Sequence, residues 1–178
     1  MAVFAGLPGS GKSVLARGVA DAIGATYLRI DTIESAIVAT LMPFRDNPVD
    51  YVVAGQVAAD QLIAGRDVVA DAVNGVATTR AGWAALAART GAALRFVEVR
   101  CSDAAEHRRR VEARGPEMPG HGVPTWEQVL RRRYEPWPPE LSGRLVVDNI
   151  GDATKHVARI VSELSPQGAG WDQPRRLT

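Results

Sequence analysis

Gly6-Leu7-Pro8-Gly9-Ser10-Gly11-Lys12-Ser13 follows the short apolar run Ala2 to Ala5 and precedes a stretch of helical period. Its spacing, G-x-x-x-x-G-K-[ST] between a strand and a helix, predicts a turn whose backbone N–H groups surround phosphate oxygens. The glycines let the chain adopt conformations that side chains resist, and the helix N-terminus adds partial positive charge. On this reading Gly6, Pro8, Gly9, Ser10, Gly11, Lys12, Ser13 and Val14 hold a nucleotide. Lys12 reaches the β- and γ-phosphates and the Ser13 hydroxyl ligates Mg²⁺. An ordinary glycine-rich turn is the alternative.

Working outward, apolar runs alternate with helical stretches, the pattern of parallel strands joined by crossover helices. Strands are expected at Ala2 to Ala5, Thr26 to Ile30, Asp67 to Ala70, Leu94 to Arg100 and Arg144 to Val147. Helices are expected at Lys12 to Ile23, Thr32 to Met42, Val49 to Ala64, Thr79 to Arg89, Asp103 to Arg114, Trp126 to Tyr134 and Ala153 to Leu164. The fold class is therefore α/β: three α/β/α layers around a five-stranded parallel sheet. Residues 1–164 read as one domain with a lid at about 103–137, and 165–178 as a polar tail with Trp171 as its docking candidate.

Composition narrows the chemistry. The 178 residues carry 21 basic and 20 acidic side chains, a formal charge of +1, which argues against a polyanion binder. Only Lys12 and Lys155 are lysines; the other 19 cations are arginines. No apolar run reaches the roughly 18 residues of a membrane span, and no basic leader precedes the first strand, so a cytoplasmic protein is expected. The single Cys101 and three scattered histidines leave no disulfide or zinc framework. Cys101 reads as a buried strand end, and His107, His121 and His156 as solvated.

Among phosphate-loop proteins, a guanine-reading N-K-x-D is absent, and the third strand ends Val69-Ala70-Asp71-Ala72 rather than in the Asp-Glu of a large motor. Asp71 closes an apolar strand beside the loop, where a carboxylate holds Mg²⁺ or orients the acceptor loop; a simple turn cap is the alternative. Asn74 and Arg80 follow as weaker acceptor contacts, with Arg80 equally readable as an exposed first-turn residue behind a Thr78-Thr79 cap. Arg108, Arg109, Arg110 and Arg114 supply guanidiniums suited to a transferring phosphoryl group. Arg110 and Arg114 lead them because i, i+4 spacing gives them one helix face. A solvated face balanced by Glu106 and Glu112 is the alternative. Arg131 to Arg133 read as a basic helix end. Tyr134 to Leu141, with Trp137 at its centre, form either an acceptor-side wall or packing beneath the lid.

Together, Gly6 to Ser13, Arg29 to Glu34, Val68 to Asn74 with Arg80, and Glu106 to Arg114 resemble the AAA_33 group of P-loop kinases. That group is similar to chloramphenicol phosphotransferase, polynucleotide 5′-kinase domains, gluconate kinase and zeta-toxin-type kinases. The resemblance covers about Met1 to Asn149 and implies that Asp31 deprotonates or orients the acceptor hydroxyl. Read from the residues, Asp31-Thr32-Ile33-Glu34 is also a capping box, and the two roles can coexist. Many relatives carry Arg where Glu34 stands, which favours an uncharged hydroxyl acceptor here. The segment Asp148 to Asp152 is where such kinases often lay adenine, although Asp152 also reads as a helix cap. Tyr134 to Leu141 partly resembles adenylylsulfate kinase, without that family's lysine-rich lid.

The expectation is a kinase using ATP and Mg²⁺ on a small-molecule hydroxyl, with selectivity in loops Met42 to Asp50 and Gly115 to Pro124. Adenylylsulfate kinase, a nucleotide-gated binding module and a polynucleotide 5′-kinase are the alternatives. Near-neutral charge weighs against nucleic acid.

Overall fold

The structure is a computed structural model that describes residues 1–41, 48–115, 122–141 and 143–165. Five strands, β1 (Ala2–Ala5), β2 (Thr26–Arg29), β3 (Val68–Asp71), β4 (Arg95–Arg100) and β5 (Leu145–Asp148), pair in parallel in the order β2-β3-β1-β4-β5. Among the described residues, seven helices connect or flank them: α1 (Lys12–Ile23), α2 (Ile30–Leu41), α3 (Val49–Ile63), α4 (Ala77–Thr90), α5 (Ala104–Glu112), α6 (Trp126–Leu130) and α7 (Ala153–Leu164). A 3-10 turn at Pro139–Leu141 was not anticipated from sequence.

Alternation along the strands divides the core into two layers. Ala2, Phe4, Val69, Val97, Val99 and Val147 pack beneath α1 and α7 through Leu15, Ala16, Val19, Ile160 and Leu164. Val3, Val68, Ala70 and Phe96 face the opposite way, toward Ala54 and Ala58 of α3 and Trp83 and Leu86 of α4. β1 is buried on both faces, which is why it reads as an unbroken apolar run. Among the described residues, no helix is long and apolar enough to cross a membrane.

The boundaries move where tertiary contacts intervene. α2 begins at Ile30, not Thr32, because Ile30 is buried at 2% exposure and carries the helix into the core. β3 runs through Asp71, whose backbone pairs with β1 and β2. α5 stops at Glu112, with Arg114 bonded back to Val111 in a tighter turn ahead of Gly115 and a proline. α6 ends at Leu130 rather than Tyr134, since the chain beyond is drawn onto the β3–α4 connection, with Glu135 N–H donating to the Gly75 carbonyl at 2.7 Å. The tail at 166–178, residues 42–47 and 116–121 lie outside the described residues.

Glu98 is among the charges buried inside this frame. Glu98 of β4 is 1% exposed; its Oε2 accepts from Arg144 Nε at 2.6 Å and Arg100 at 2.9 Å, and its Oε1 accepts from the Tyr134 hydroxyl at 3.1 Å. Burial alone pushes this carboxyl up, but the hydrogen bond from Arg144 and the charge of Arg100 outweigh it and hold the group below its ordinary value. A depressed carboxyl contributes stability above its unfolded pKa and loses it as pH falls through the folded value. Glu98→Ala is therefore expected to lower unfolding free energy by about 3 kcal/mol in neutral urea titrations, because Arg144 is left without its partner. The gap from wild type should narrow in acid, below the ordinary carboxylate range; equal neutral stabilities would show that the pair is dispensable.

Candidate active site

Gly9 and Gly11 take left-handed φ angles of 81° and 83°. Space forbids any other residue as well. A Cβ on Gly9 would strike Val111 Cγ2, and one on Gly11 would strike Asn149 Nδ2. The turn between them is tied from three directions. Gly6 N–H donates to the Val73 carbonyl at 3.1 Å, His107 Nε2 bonds the Pro8 carbonyl at 2.8 Å, and Asn149 Nδ2 donates to the Ser10 carbonyl at 2.9 Å. Because a carbonyl only accepts, His107 must carry its proton on Nε2. No side chain caps α1 at Gly11, so its leading amides are left to a ligand, as an anion-binding helix start requires. Lys12 is buried, Ser13 half-buried, and Val14 is turned outward at 63% exposure.

A cavity of about 160 Å³ lies against this turn. Pro8 and Lys12 form its floor, Asp31 and Glu34 of α2 one wall, and Val73 the end of the β3 connection. Arg114, Gly122, Pro124 and Arg132 close the side that belongs to the expected lid. Three predicted site residues, Lys12, Asp31 and Arg114, thus converge from three separate elements. Asp31 sits in the first turn of α2, not at a cap, which corrects the capping-box reading: the helix starts one residue before it. Arg29 pairs with its carboxylate at 3.6 Å.

The arginines of α5 part company. Arg110 and Arg114 do not share a helix face, because α5 ends between them. Arg114 goes to the cavity, whereas Arg110 turns to the other flank of the loop. There its Nε bonds Glu106 at 2.7 Å and its NH1 the Asn149 carbonyl at 2.9 Å. A Cβ on Gly11 would lie 3.7 Å from that guanidinium, so Arg110 borders the nucleotide loop. Arg108 and Arg109 pair with Glu112 and Glu106 on the surface. The two arginines hold Glu106, through Arg109 first and then Arg110, at a pKa of about 2.

Asp71, 1% exposed, closes β3 on the α1 side. Its Oδ2 accepts from the Tyr27 hydroxyl at 2.7 Å, while its Oδ1 is buried without a hydrogen-bond partner. Burial, then the Asp71 charge, pushes the Tyr27 phenol up, so Tyr27 stays a donor. Ser10 Oγ is likewise buried and unpartnered. Orphaned hard oxygens at this depth are uncommon. Asp71 Oδ1, with the Ser13 hydroxyl, fits a magnesium ion that leans mainly on phosphate oxygens and water.

Asn74, Arg80 and Trp137 are corrected from acceptor contacts to framework. Arg80 is fully buried and donates to four carbonyls: Asn74 at 2.9 Å, Gly75 at 3.0 Å, Glu135 at 2.9 Å and Pro136 at 3.0 Å. Trp137 and Tyr134 cover its guanidinium at 4.0 and 5.3 Å. Asn74, at φ 47°, donates to the Phe4 carbonyl and accepts from Trp83 Nε1 at 2.8 and 2.9 Å. The Thr78-Thr79 cap is also corrected. α4 begins at Ala77, and the Glu135 carboxylate takes the Ala77 N–H at 2.6 Å.

Sequence reasoning passed over the residues that brace the loop. His107, 8% exposed, is packed edge-on against Trp126, and its signal was a histidine one turn before Val111 on the buried face of α5. Asn149, within the segment expected beside adenine, braces the Ser10 carbonyl. Glu34 and Arg132 both reach the cavity wall. Cys101 is partly exposed, whereas Asp152 does cap α7, accepting from Thr154 N–H at 2.8 Å. His156 bonds the Ile150 carbonyl at 2.8 Å, and His121 lies outside the described residues.

Comparison with known proteins places this arrangement in a family. The AAA_33 family, described as an AAA domain, matches residues 1–136. No curated protein matches the chain. Among solved structures, a sugar kinase from Janibacter sp. HTCC2649 superposes with a TM-score of 0.65 at 20% identity, covering 95% of this chain and 97% of the other. The APS kinase CysC of Mycobacterium tuberculosis, in complex with AMPPNP and APS, gives 0.65 at 21% identity over 92% and 96%. A gluconokinase from Sinorhizobium meliloti 1021 gives 0.59 at 21% identity over 92% and 94%. These likenesses establish the P-loop fold.

Because Lys cannot make the four forked bonds of Arg80, Arg80→Lys should cost about 2 kcal/mol of stability by chemical denaturation. Affinity for a nucleotide analogue should stay within about twofold; a large affinity loss at unchanged stability would return Arg80 to the binding site.

Proposed function

The chain belongs to the AAA_33 family, and on that premise we propose that it is a kinase moving the γ-phosphoryl group of ATP to a hydroxyl of a small molecule. The observation that carries this reading is the cavity in which Lys12, Asp31 and Arg114 meet beside the glycine turn. Residues 1–164 act as the kinase domain, with the arginine-bearing segment 103–137 as its lid.

The roles follow from position. The backbone amides that open α1 at Gly11, Lys12 and Ser13, with the Lys12 side chain, grip the β- and γ-phosphates. Arg114 neutralises charge that spreads over the transferring group, and Arg110 holds the nucleotide side of the loop. Asp31, fixed in the first turn of α2, accepts or orients the proton of the attacking hydroxyl. Ser13 and Asp71 would hold magnesium, which when bound supplies charge neutralisation across the phosphates. Lid residues Gly122, Pro124 and Arg132 shut water from the cavity. Little covalent work falls to the protein, so positioning and electrostatics provide the rate.

Glu34 on the cavity wall supports an acceptor without negative charge near the α2 side, and the sugar-kinase and gluconokinase neighbours favour a polyol or sugar hydroxyl. The same carboxylate weighs against an adenylylsulfate acceptor, despite the APS kinase among the neighbours. The formal charge of +1 weighs against a polynucleotide.

Lys12→Ala is expected to abolish calorimetric binding of a non-hydrolysable ATP analogue, and retained binding would remove the phosphate-loop assignment. The acceptor can be found by incubating a metabolite pool with γ-labelled ATP. With it in hand, Asp31→Asn should lower kcat by about 10²- to 10⁴-fold at nearly constant ATP affinity. Normal turnover would take Asp31 out of the proton path. Partner-dependent ATP hydrolysis with no labelled acceptor would favour a nucleotide-gated binding module.

A further inference from the structure

Beneath the phosphate loop, β2 and β3 lie side by side with Tyr27 opposite Val69 and Arg29 opposite Asp71. Alternation puts Val69 and Asp71 on one face of the sheet. Val69 belongs to the core layer under α1, and Tyr27 packs against that same layer. From there the Tyr27 hydroxyl reaches along the sheet and donates to Asp71 Oδ2 at 2.7 Å. The ring of Tyr27 is covered in turn by Arg17 of α1, 5.2 Å from its centroid.

Arg17 and Ser13 are i, i+4 neighbours on α1. α1 runs back along the sheet, against the direction of the strands. Ser13 therefore stands about 6 Å nearer the carboxyl edge than Arg17. Asp71 stands about 6.6 Å nearer that edge than Val69, which faces Tyr27. The two displacements match, so Asp71 and Ser13 rise together above the Tyr27–Arg17 stack. Asp71 has one oxygen satisfied by Tyr27 and the other, Oδ1, buried with no partner.

We propose that Tyr27 is the positioning residue of the metal site: by occupying Oδ2 it fixes the plane of the Asp71 carboxylate and directs Oδ1 at magnesium or its bound water, beside Ser13. This rests on the phosphotransfer reading, and it assigns Tyr27 a role that the glycine turn and the cavity do not reveal. Hydrogen bonds behind a metal-binding carboxylate govern how tightly it binds, because they set its orientation before the ion arrives.

The test is an electron paramagnetic resonance titration of Mn²⁺ into the full chain saturated with a non-hydrolysable ATP analogue. Tyr27→Phe keeps the ring beneath Arg17 and removes only the hydroxyl. It should weaken Mn²⁺ binding about tenfold while leaving affinity for the metal-free analogue unchanged. Unchanged Mn²⁺ affinity overturns the proposal. Wild-type protein that binds no analogue at all overturns the phosphotransfer reading first, and the proposal with it. A second measurement leaves Tyr27 in place. In protein labelled at the tyrosine ζ-carbons, the Tyr27 signal is assigned by comparison with Tyr51→Phe and Tyr134→Phe. It should shift when Mg²⁺ is added to the analogue complex, and a signal indifferent to Mg²⁺ also overturns the proposal.

Discussion

His107 and Asn149 hold the carbonyls of Pro8 and Ser10 from two sides of the glycine turn. Tying these two carbonyls to the body of the domain fixes the course of the turn from which a phosphate would be held. The same two side chains, with Val111, press so closely on Gly9 and Gly11 that no Cβ fits. The loop is thus held in place by its surroundings as much as by its own sequence. α5 and the residues after β5 are positioned by that need, since each must deliver one polar group to one carbonyl. Because His107 and Arg110 belong to the same short helix, the brace of the loop and the cation beside it move as one body.

Arginine serves four separate ends here, and burial sorts them. Arg80 is sealed from solvent and spends its fork on four backbone carbonyls, where planar geometry matters more than charge. Arg144 neutralises a buried carboxylate. Arg108 and Arg109 pair on the open surface, where such bonds add little. Among the described residues, Arg114 and Arg132 are the arginines that line the cavity. Near-zero net charge therefore coexists with a cationic cavity wall.

The parallel sheet was legible because each strand is a short apolar run bounded by turn signals, and the phosphate loop was legible because its spacing is rigid. Less of the rest could be read. Arg80 looked like an exposed first-turn residue because nothing local announces that Glu135 and Pro136, more than fifty positions later, supply its acceptors. Arg110 and Arg114 looked like one face because periodicity does not report where a helix stops. Asp31 reads from sequence as a helix cap and lies two positions further into α2, since Ile30 enters the core and draws the helix start with it. His107 and Asn149 were missed for a shared reason. Each acts on a backbone carbonyl far away in sequence, a contact that leaves no motif.

The Glu135 carboxylate that caps α4 also sets an order of events. Helices usually carry their own cap within a few residues, but this one borrows its cap from 58 positions ahead. As the chain is synthesised from its N-terminus, α4 must wait with its first turn frayed until the segment around residue 135 emerges. Arg80 waits with it, its acceptors at Glu135 and Pro136 not yet made. The β3–α4 connection, which carries Asn74 and anchors Gly6 through Val73, therefore reaches its final shape only when the last third of the domain arrives. A nascent chain released before that point would own the full phosphate-loop motif without the framework that keeps it in place.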